Sequence, residues 1–161
     1  MVIGCTGNYR KEEYYTILEK IHNILKNKDI KLFVSSDLKN KQGKNIPNNY
    51  DLLVFKELVK KCDMIFAIGG DGTILSTVRR LEKNIKPIMG IHIGGLGFLS
   101  ECTQNNLESS IQSVLDNDYS LSQRMMLEVC FQSKNDSEQI LRALNDIVVD
   151  HGQSTRMLKV M

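Results

Sequence analysis

The sequence predicts an α/β fold, a doubly wound and mainly parallel sheet followed by the start of an antiparallel β region. Three observations carry that expectation. Apolar runs such as Met64 to Ile68 are too short for a helix and end in glycine, as strands covered on both faces do. Stretches with apolar residues at helical spacing stand between those runs. After about Ser120 apolar and polar residues alternate instead, the period of a half-buried antiparallel strand.

The elements follow in order. Val2 to Cys5 is a buried strand that runs into the loop Thr6-Gly7-Asn8. Tyr14, Ile17, Leu18, Ile21, Ile24 and Leu25 line one face of an amphipathic helix, and Ile30 to Val34 is a second strand. From Ser35 to Asn49 the chain turns polar, and Lys39-Asn40-Lys41-Gln42-Gly43-Lys44-Asn45 offers almost nothing to bury, so a surface loop is expected. The spacing of Leu52, Phe55, Leu58 and Val59 predicts a helix from about Asp51 to Lys61, with Asp51 as its cap. The strand Met64 to Ile68 leads into a helix from about Thr73 to Glu82. Pro87 to Ile93 is the next strand, closed by Gly94-Gly95, and a helix near Asn106 to Leu115 completes the alternation that marks a doubly wound layer. Beyond Ser120, Leu127, Val129 and Phe131 alternate with Glu128, Cys130 and Gln132. Ser133 to Gln139 supplies a turn, and Ile140 to Val149 is another strand. The pattern stops at Met157 to Met161 with no further element to cover so small a sheet. The expected organisation is a domain over 1–120 and the beginning of a second, β-rich domain over 121–161.

The 161 residues, 42% hydrophobic and 25% charged, have the balance of a globular protein with a real core. A net charge of +2, from 21 basic and 19 acidic residues mixed along the chain, gives no reason to expect a nucleic-acid partner. No apolar run approaches the roughly 18 residues that span a bilayer, and Met1 to Cys5 lacks the flank and core of a signal peptide. The expected location is cytoplasmic, without a membrane partner. Cys5, Cys62, Cys102 and Cys130 lie far apart with no C-x-x-C pair, which argues for reduced, mostly buried thiols rather than zinc or a disulfide framework. No residue is assigned as a metal ligand.

The segment Gly69-Gly70-Asp71-Gly72-Thr73 follows a strand and precedes a helix, the edge where open α/β sheets bind ligands. Glycines there let backbone N–H groups approach a phosphate, and the helix N-terminus favours an anion. A carboxylate inside such a loop repels the charge the loop attracts, so Asp71 needs a role. It takes a proton from an attacking hydroxyl, or it helps hold a Mg²⁺ that screens the phosphates. The plainer alternative is that Asp71 caps the following helix while the glycines make a tight turn. No G-x-x-x-x-G-K-[ST] is present, and neither Gly70-Asp71-Gly72 nor Gly95-Leu96-Gly97 has the third glycine of the dinucleotide fingerprint.

Gly69-Gly70-Asp71-Gly72-Thr73 resembles the phosphate-donor motif shared by NAD kinases, the diacylglycerol and sphingosine lipid kinases and, more loosely, the phosphofructokinases. Two further segments narrow the resemblance to NAD kinases. Gly94-Gly95-Leu96-Gly97-Phe98-Leu99-Ser100-Glu101 looks like that family's G-x-L-G-F-L segment, and Leu144-Asn145-Asp146-Ile147-Val148 looks like its Asn-Glu/Asp segment. All three stand in the family's order, and the resemblance covers the whole chain. It implies a Rossmann- or phosphofructokinase-like nucleotide-binding domain and then a β-rich NAD-binding domain that family members extend well beyond Met161.

The resemblance further implies an activity, transfer of a phosphoryl group from ATP or polyphosphate to the adenosine ribose 2′-hydroxyl of NAD, giving NADP, with Mg²⁺ or another divalent cation. On that reading Asp71 is the proton acceptor, and Gly70, Asp71 and Gly72 contact nucleotide. Asn145 and Asp146 bind NAD from the other side of a cleft between the domains, and Arg156 falls where the family places another NAD contact. An Asn and a carboxylate together suit the hydroxyls of a sugar. The family's habit of forming dimers or tetramers implies a homo-oligomer. The chain departs from the family at His92, where Asn is usual, and at Asp146, where many members carry the longer Glu. Two alternatives differ in kind. A lipid kinase would need a membrane-facing apolar surface, which no basic amphipathic segment supplies. A non-catalytic nucleotide-binding fragment is the other, because residues beyond Met161 would close the acceptor side; the chain alone is expected to be weakly active or inactive.

Overall fold

Backbone pairing sorts the strands of the computed structural model, which describes residues 1–36, 50–95, 97–100, 102–132 and 138–148, into two sheets. In chain order the elements are β1 (Val2–Gly7), α1 (Glu12–Leu25), β2 (Lys31–Ser35), β3 (Asp51–Leu53), α2 (Phe55–Lys61), β4 (Met64–Gly69), α3 (Asp71–Leu81), β5 (Ile88–His92), β6 (Cys102–Thr103), α4 (Leu107–Leu115), β7 (Leu127–Phe131) and β8 (Gln139–Ala143). The chain divides into two compact units, 1–123 and 124–161.

In the first unit six parallel strands stand in the order β3-β2-β1-β4-β5-β6. The strand order reverses between β1 and β4, which makes that junction the crevice of a doubly wound sheet. The sheet is covered on both faces, and its central strands read as continuous apolar runs for that reason. All six residues of β4 are buried. Tyr14, Ile17, Leu18, Ile21 and Leu25 of α1 pack with Leu107, Ile111 and Val114 of α4 over Ile3, Cys5, Phe66, Ile68 and Ile91. On the opposite face Phe55, Leu58 and Val59 of α2 and Leu81 of α3 cover Phe33 and Ile65. Gly4 admits α2, since a Cβ there would stand 3.0 Å from Cγ of Leu58.

One expectation from the sequence is corrected here and one unforeseen strand is added. Asp51 does not cap a helix: Asp51, Leu52 and Leu53 form the edge strand β3, paired with Phe33, Val34 and Ser35. The helix starts at Phe55 with Val54 at its N-cap and buries Phe55, Leu58 and Val59. Leu52, three residues before Phe55, matches the helical period by coincidence, and the ladder offered by β2 satisfies its backbone instead. The two-residue strand β6 is too short to leave a periodic signal, and Asn106 beside it accepts hydrogen bonds from the Thr103 amide at 2.6 Å and hydroxyl at 2.9 Å. The expected loop from Ser35 to Asn49 falls, beyond Ser36, outside the described residues.

The second unit contains an antiparallel pair in which Leu127, Val129 and Phe131 stand opposite Ala143, Leu141 and Gln139. Between them Glu128 and Arg142 are cross-strand partners joined by an ion pair at 2.5 Å. The second strand ends at Ala143 rather than continuing toward Val149, and Leu144 to Val148 follows without regular structure.

Candidate active site

The carboxyl ends of β1, β4 and β5 stand side by side, with Gly7 beside Ile68 and Gly69 beside His92 in the ladder. They open into a cleft of about 550 Å³ at the β1/β4 crevice. Two glycines of these strands are required by close approach. A Cβ on Gly7 would stand 2.7 Å from the Tyr14 ring and closer to the Ile68 carbonyl, and one on Gly69 would stand 2.7 Å from Cβ of Thr73. The Tyr14 ring behind Gly7 is wholly buried, and burial, reinforced by Cys5, Tyr15 and Tyr50, pushes its hydroxyl pKa well up, so it stays neutral.

Helix α3 begins directly at this edge. Gly70 is its N-cap, and Thr73 and Ile74 bond back to the Gly70 carbonyl at 2.8 and 3.3 Å. The amides that a helix N-terminus leaves without intrahelical partners are therefore those of Asp71 and Gly72. Thr73, Ser76, Thr77 and Arg80 recur at i, i+3, i+4 and i+7, one helix face, and all four line the cleft. The loop after β1 adds Asn8, Tyr9, Arg10 and Lys11 to the wall. The Arg80 guanidinium stacks over the Phe55 ring, 3.8 Å from its centroid. Three cationic side chains, several hydroxyls and a helix N-terminus together make a site for a multiply charged anion.

The Asp71 carboxylate takes a different direction. Its Oδ2 accepts the Phe98 N–H at 2.9 Å and its Oδ1 the Leu99 N–H at 3.2 Å, and the N-cap of α3 is Gly70 rather than Asp71. The capping alternative raised by the sequence is thereby excluded. Glycines and carboxylate divide the turn: Gly70 and Gly72 border the cationic cleft, while Asp71 reaches to the segment after β5. Gly94 in that segment has φ +100°, a left-handed conformation that favours glycine.

A family model described as the ATP-NAD kinase N-terminal domain matches residues 3–119. The chain belongs to the NAD kinase family. An NAD kinase of Caldicellulosiruptor saccharolyticus is 33% identical over 147 residues, which is 91% of this chain and 48% of the relative. One from Clostridium botulinum (strain Alaska E43 / Type E3) is 35% identical over 162 residues, 98% of this chain and 51% of the relative. The chain thus spans about half the length of these relatives. Among solved structures, yeast NADH kinase in complex with NADH superposes with a TM-score of 0.75 at 21% identity, over 90% of this chain and 47% of that one, a likeness of fold.

Of the residues singled out in the sequence, Gly70, Asp71 and Gly72 meet at the crevice, and Asp71 joins the NAD-kinase-like segment containing Gly97 to its motif. Asn145 and Asp146 lie in the second unit, exposed, just after β8. Arg156 lies outside the described residues. His92 is the last residue of β5 and lines the cleft, and its buried Nδ1 has no hydrogen-bond partner among the described residues. Sequence reasoning missed Arg10, Lys11, Ser76, Thr77 and Arg80. The helical spacing from Thr73 to Arg80 carried that signal, as did the rule that the loops after β1 and β4 flank one crevice.

Proposed function

We propose that this chain supplies the donor-binding and base-bearing part of an NAD kinase, which phosphorylates the adenosine ribose 2′-hydroxyl of NAD to give NADP. The observation that carries the reading is the division at Gly70-Asp71-Gly72, with an anion cleft on one side and a carboxylate held on the other. The donor, ATP or polyphosphate, lies with its phosphates against the amides of Asp71 and Gly72 and between Arg10, Lys11 and Arg80. The 2′-hydroxyl approaches from the side of Asp71. Its proton passes to the carboxylate as its oxygen bonds to the terminal phosphorus, and the bond from that phosphorus to the bridging oxygen breaks, releasing ADP or the shortened polyphosphate. Positioning and electrostatics supply most of the rate in such transfers.

The expected divalent cation is a companion of the donor. The cleft wall is cationic and hydroxylic, and among the described residues no three His, Cys, Asp or Glu side chains converge to hold a metal. The described side chains of the cleft therefore offer no carboxylate cluster for an ion of the protein's own, and the cation arrives bound to the donor phosphates. Asn145, Asp146 and Arg156 serve as acceptor contacts from a second domain, with the boundary near position 120. Among the described residues no helix is long and apolar enough to cross a membrane, and a cytoplasmic homo-oligomer, dimer or tetramer, completes the reading.

The test is Asp71→Asn in the full-length protein. NAD binding stays within about tenfold while turnover falls by roughly 10²–10⁴, the scale of a general base. An Asp71→Asn enzyme with unimpaired turnover removes the carboxylate from the chemistry.

A further inference from the structure

Asp71 is held from a distance. Its two carboxylate oxygens accept hydrogen bonds from consecutive amides, those of Phe98 and Leu99, at sequence separations of 27 and 28 residues. Just before these amides stands Gly97. A Cβ on Gly97 would lie 2.7 Å from Cγ and 2.9 Å from Oδ2 of Asp71, and closer still to Oδ1. Real Cβ atoms do not approach carboxylates so closely, so any other residue there displaces the carboxylate or the segment.

The reason for glycine at this position is therefore space. Gly94 shows the contrast: its φ is +100°, and a Cβ there would meet nothing within 4 Å. Gly97 has no such left-handed φ, yet it has no room for a side chain. Nor does burial of Phe98 fix the segment, because that ring is 99% exposed. The stretch reaches α3 in two ways: Ser100 is buried beside Ile74 of that helix, and the Asp71 carboxylate is gripped by the two backbone N–H groups of Phe98 and Leu99.

We propose that Gly97, with the amides of Phe98 and Leu99, forms a backbone cradle that aims the Asp71 carboxylate, and that Gly97 is a positioning residue for phosphoryl transfer. The inference rests on Asp71 acting as the base. Each carboxylate oxygen spends one acceptor site on the cradle and keeps another for the hydroxyl proton. Without the cradle, a short side chain in the first turn of α3 is free to swing toward its own helix amides, as Asp does at helix starts. Misplacing a reacting group by about an ångström costs on the order of 10²-fold in rate.

The experiment compares variants of the full-length protein by steady-state kinetics. Gly97→Ala lowers kcat by roughly 10- to 100-fold while the KM values for NAD and donor stay within about threefold, because geometry rather than binding is disturbed. In an Asp71→Asn background the same change costs less than about threefold more, since there is no carboxylate left to aim. A second pair isolates the hydrogen bond: Phe98→Pro removes the N–H that reaches Oδ2, Phe98→Ala keeps it, and kcat of the Pro variant lies at least about tenfold below that of the Ala variant. If thermal melting shows that Gly97→Ala does not fold, the Phe98 pair decides. Gly97→Ala with kcat within about twofold of the parent, equal kcat in the two Phe98 variants, or a full multiplicative loss in the Asp71→Asn background each overturns the cradle. An active Asp71→Asn enzyme overturns the assigned base, and the cradle with it. An inactive Asp71→Asn enzyme beside unimpaired Gly97→Ala and Phe98→Pro variants overturns the cradle alone.

Discussion

Phe66 and Phe131 are the same side chain in two settings. Phe66 lies in β4 of the first unit and is wholly buried between sheet and helices, whereas Phe131, at the end of β7, is 44% exposed within its two-stranded pair. The difference extends to neighbours: Ile3, Ile68 and Ile91 are closed off, while Leu127, Ile140 and Leu141 of the pair are 42%, 47% and 53% exposed. A parallel sheet covered on both faces stabilises itself, and an antiparallel pair of two strands does not. Phe66→Ala is accordingly expected to lower the stability of this chain by about 3–5 kcal/mol, and Phe131→Ala by less than about 1 kcal/mol. Urea unfolding followed by fluorescence and circular dichroism measures both. Equal losses would break the comparison, because they would mean that the β7 face is covered in solution.

The same comparison carries over to ligands. Arg80 belongs to the first unit and lines its anion cleft, and Asn145 belongs to the second. A hydrogen bond to a charged group contributes about 1.5–3 kcal/mol, so Arg80→Ala in the full-length protein raises the donor KM by more than about tenfold and leaves the NAD KM within about twofold. Asn145→Ala does the reverse with a smaller effect, because it gives up a neutral hydrogen bond worth about 1 kcal/mol. Steady-state kinetics with each substrate varied in turn separates the two. If both variants shift the same KM, the assignment of donor to one unit and acceptor contacts to the other fails.

How far the sequence revealed this arrangement depended on the range of the interactions. The run Met64 to Ile68 followed by two glycines reveals β4 and the turn, because a buried strand and a close backbone approach are both local patterns. The stripe from Tyr14 to Leu25 reveals α1 for the same reason, and its Tyr14, Ile17, Leu18, Ile21 and Leu25 are all buried. Edge strand β3 is invisible to that reasoning, since three residues follow the ladder of β2 rather than their own periodicity. The contact between Asp71 and the amides of Phe98 and Leu99 is invisible as well. Its partners are backbone groups nearly 30 residues away, so no side-chain pattern records it, and Gly97 reads in the sequence as one more turn residue. The basic wall was within reach: Arg10 and Lys11 stand just after the first strand, and the sheet order places that loop against the Gly69–Thr73 turn.

Cysteine chemistry gives the finest version of the comparison. Cys5, Cys62 and Cys102 are buried in the first unit and Cys130 is exposed in the second. Burial, reinforced by Cys62 nearby, pushes the Cys5 thiol far above its ordinary pKa of 9.0. Below about pH 9 the thiol is protonated whether the chain is folded or not, and its titration takes nothing from stability. As the pH rises past 9.0 the unfolded chain releases this proton and the folded chain keeps it, so stability falls by up to about 1.4 kcal/mol per pH unit. Urea unfolding at pH 8, 9 and 10 should show that decline in the parent and a shallower one in Cys5→Ala. At pH 8 iodoacetamide should label Cys130 first among the four, as read by mass spectrometry. Native labelling of Cys5 at the rate of Cys130 would mean that the β1 core opens as readily as the β7–β8 pair is exposed, and the two units would then not differ in the way their burial implies.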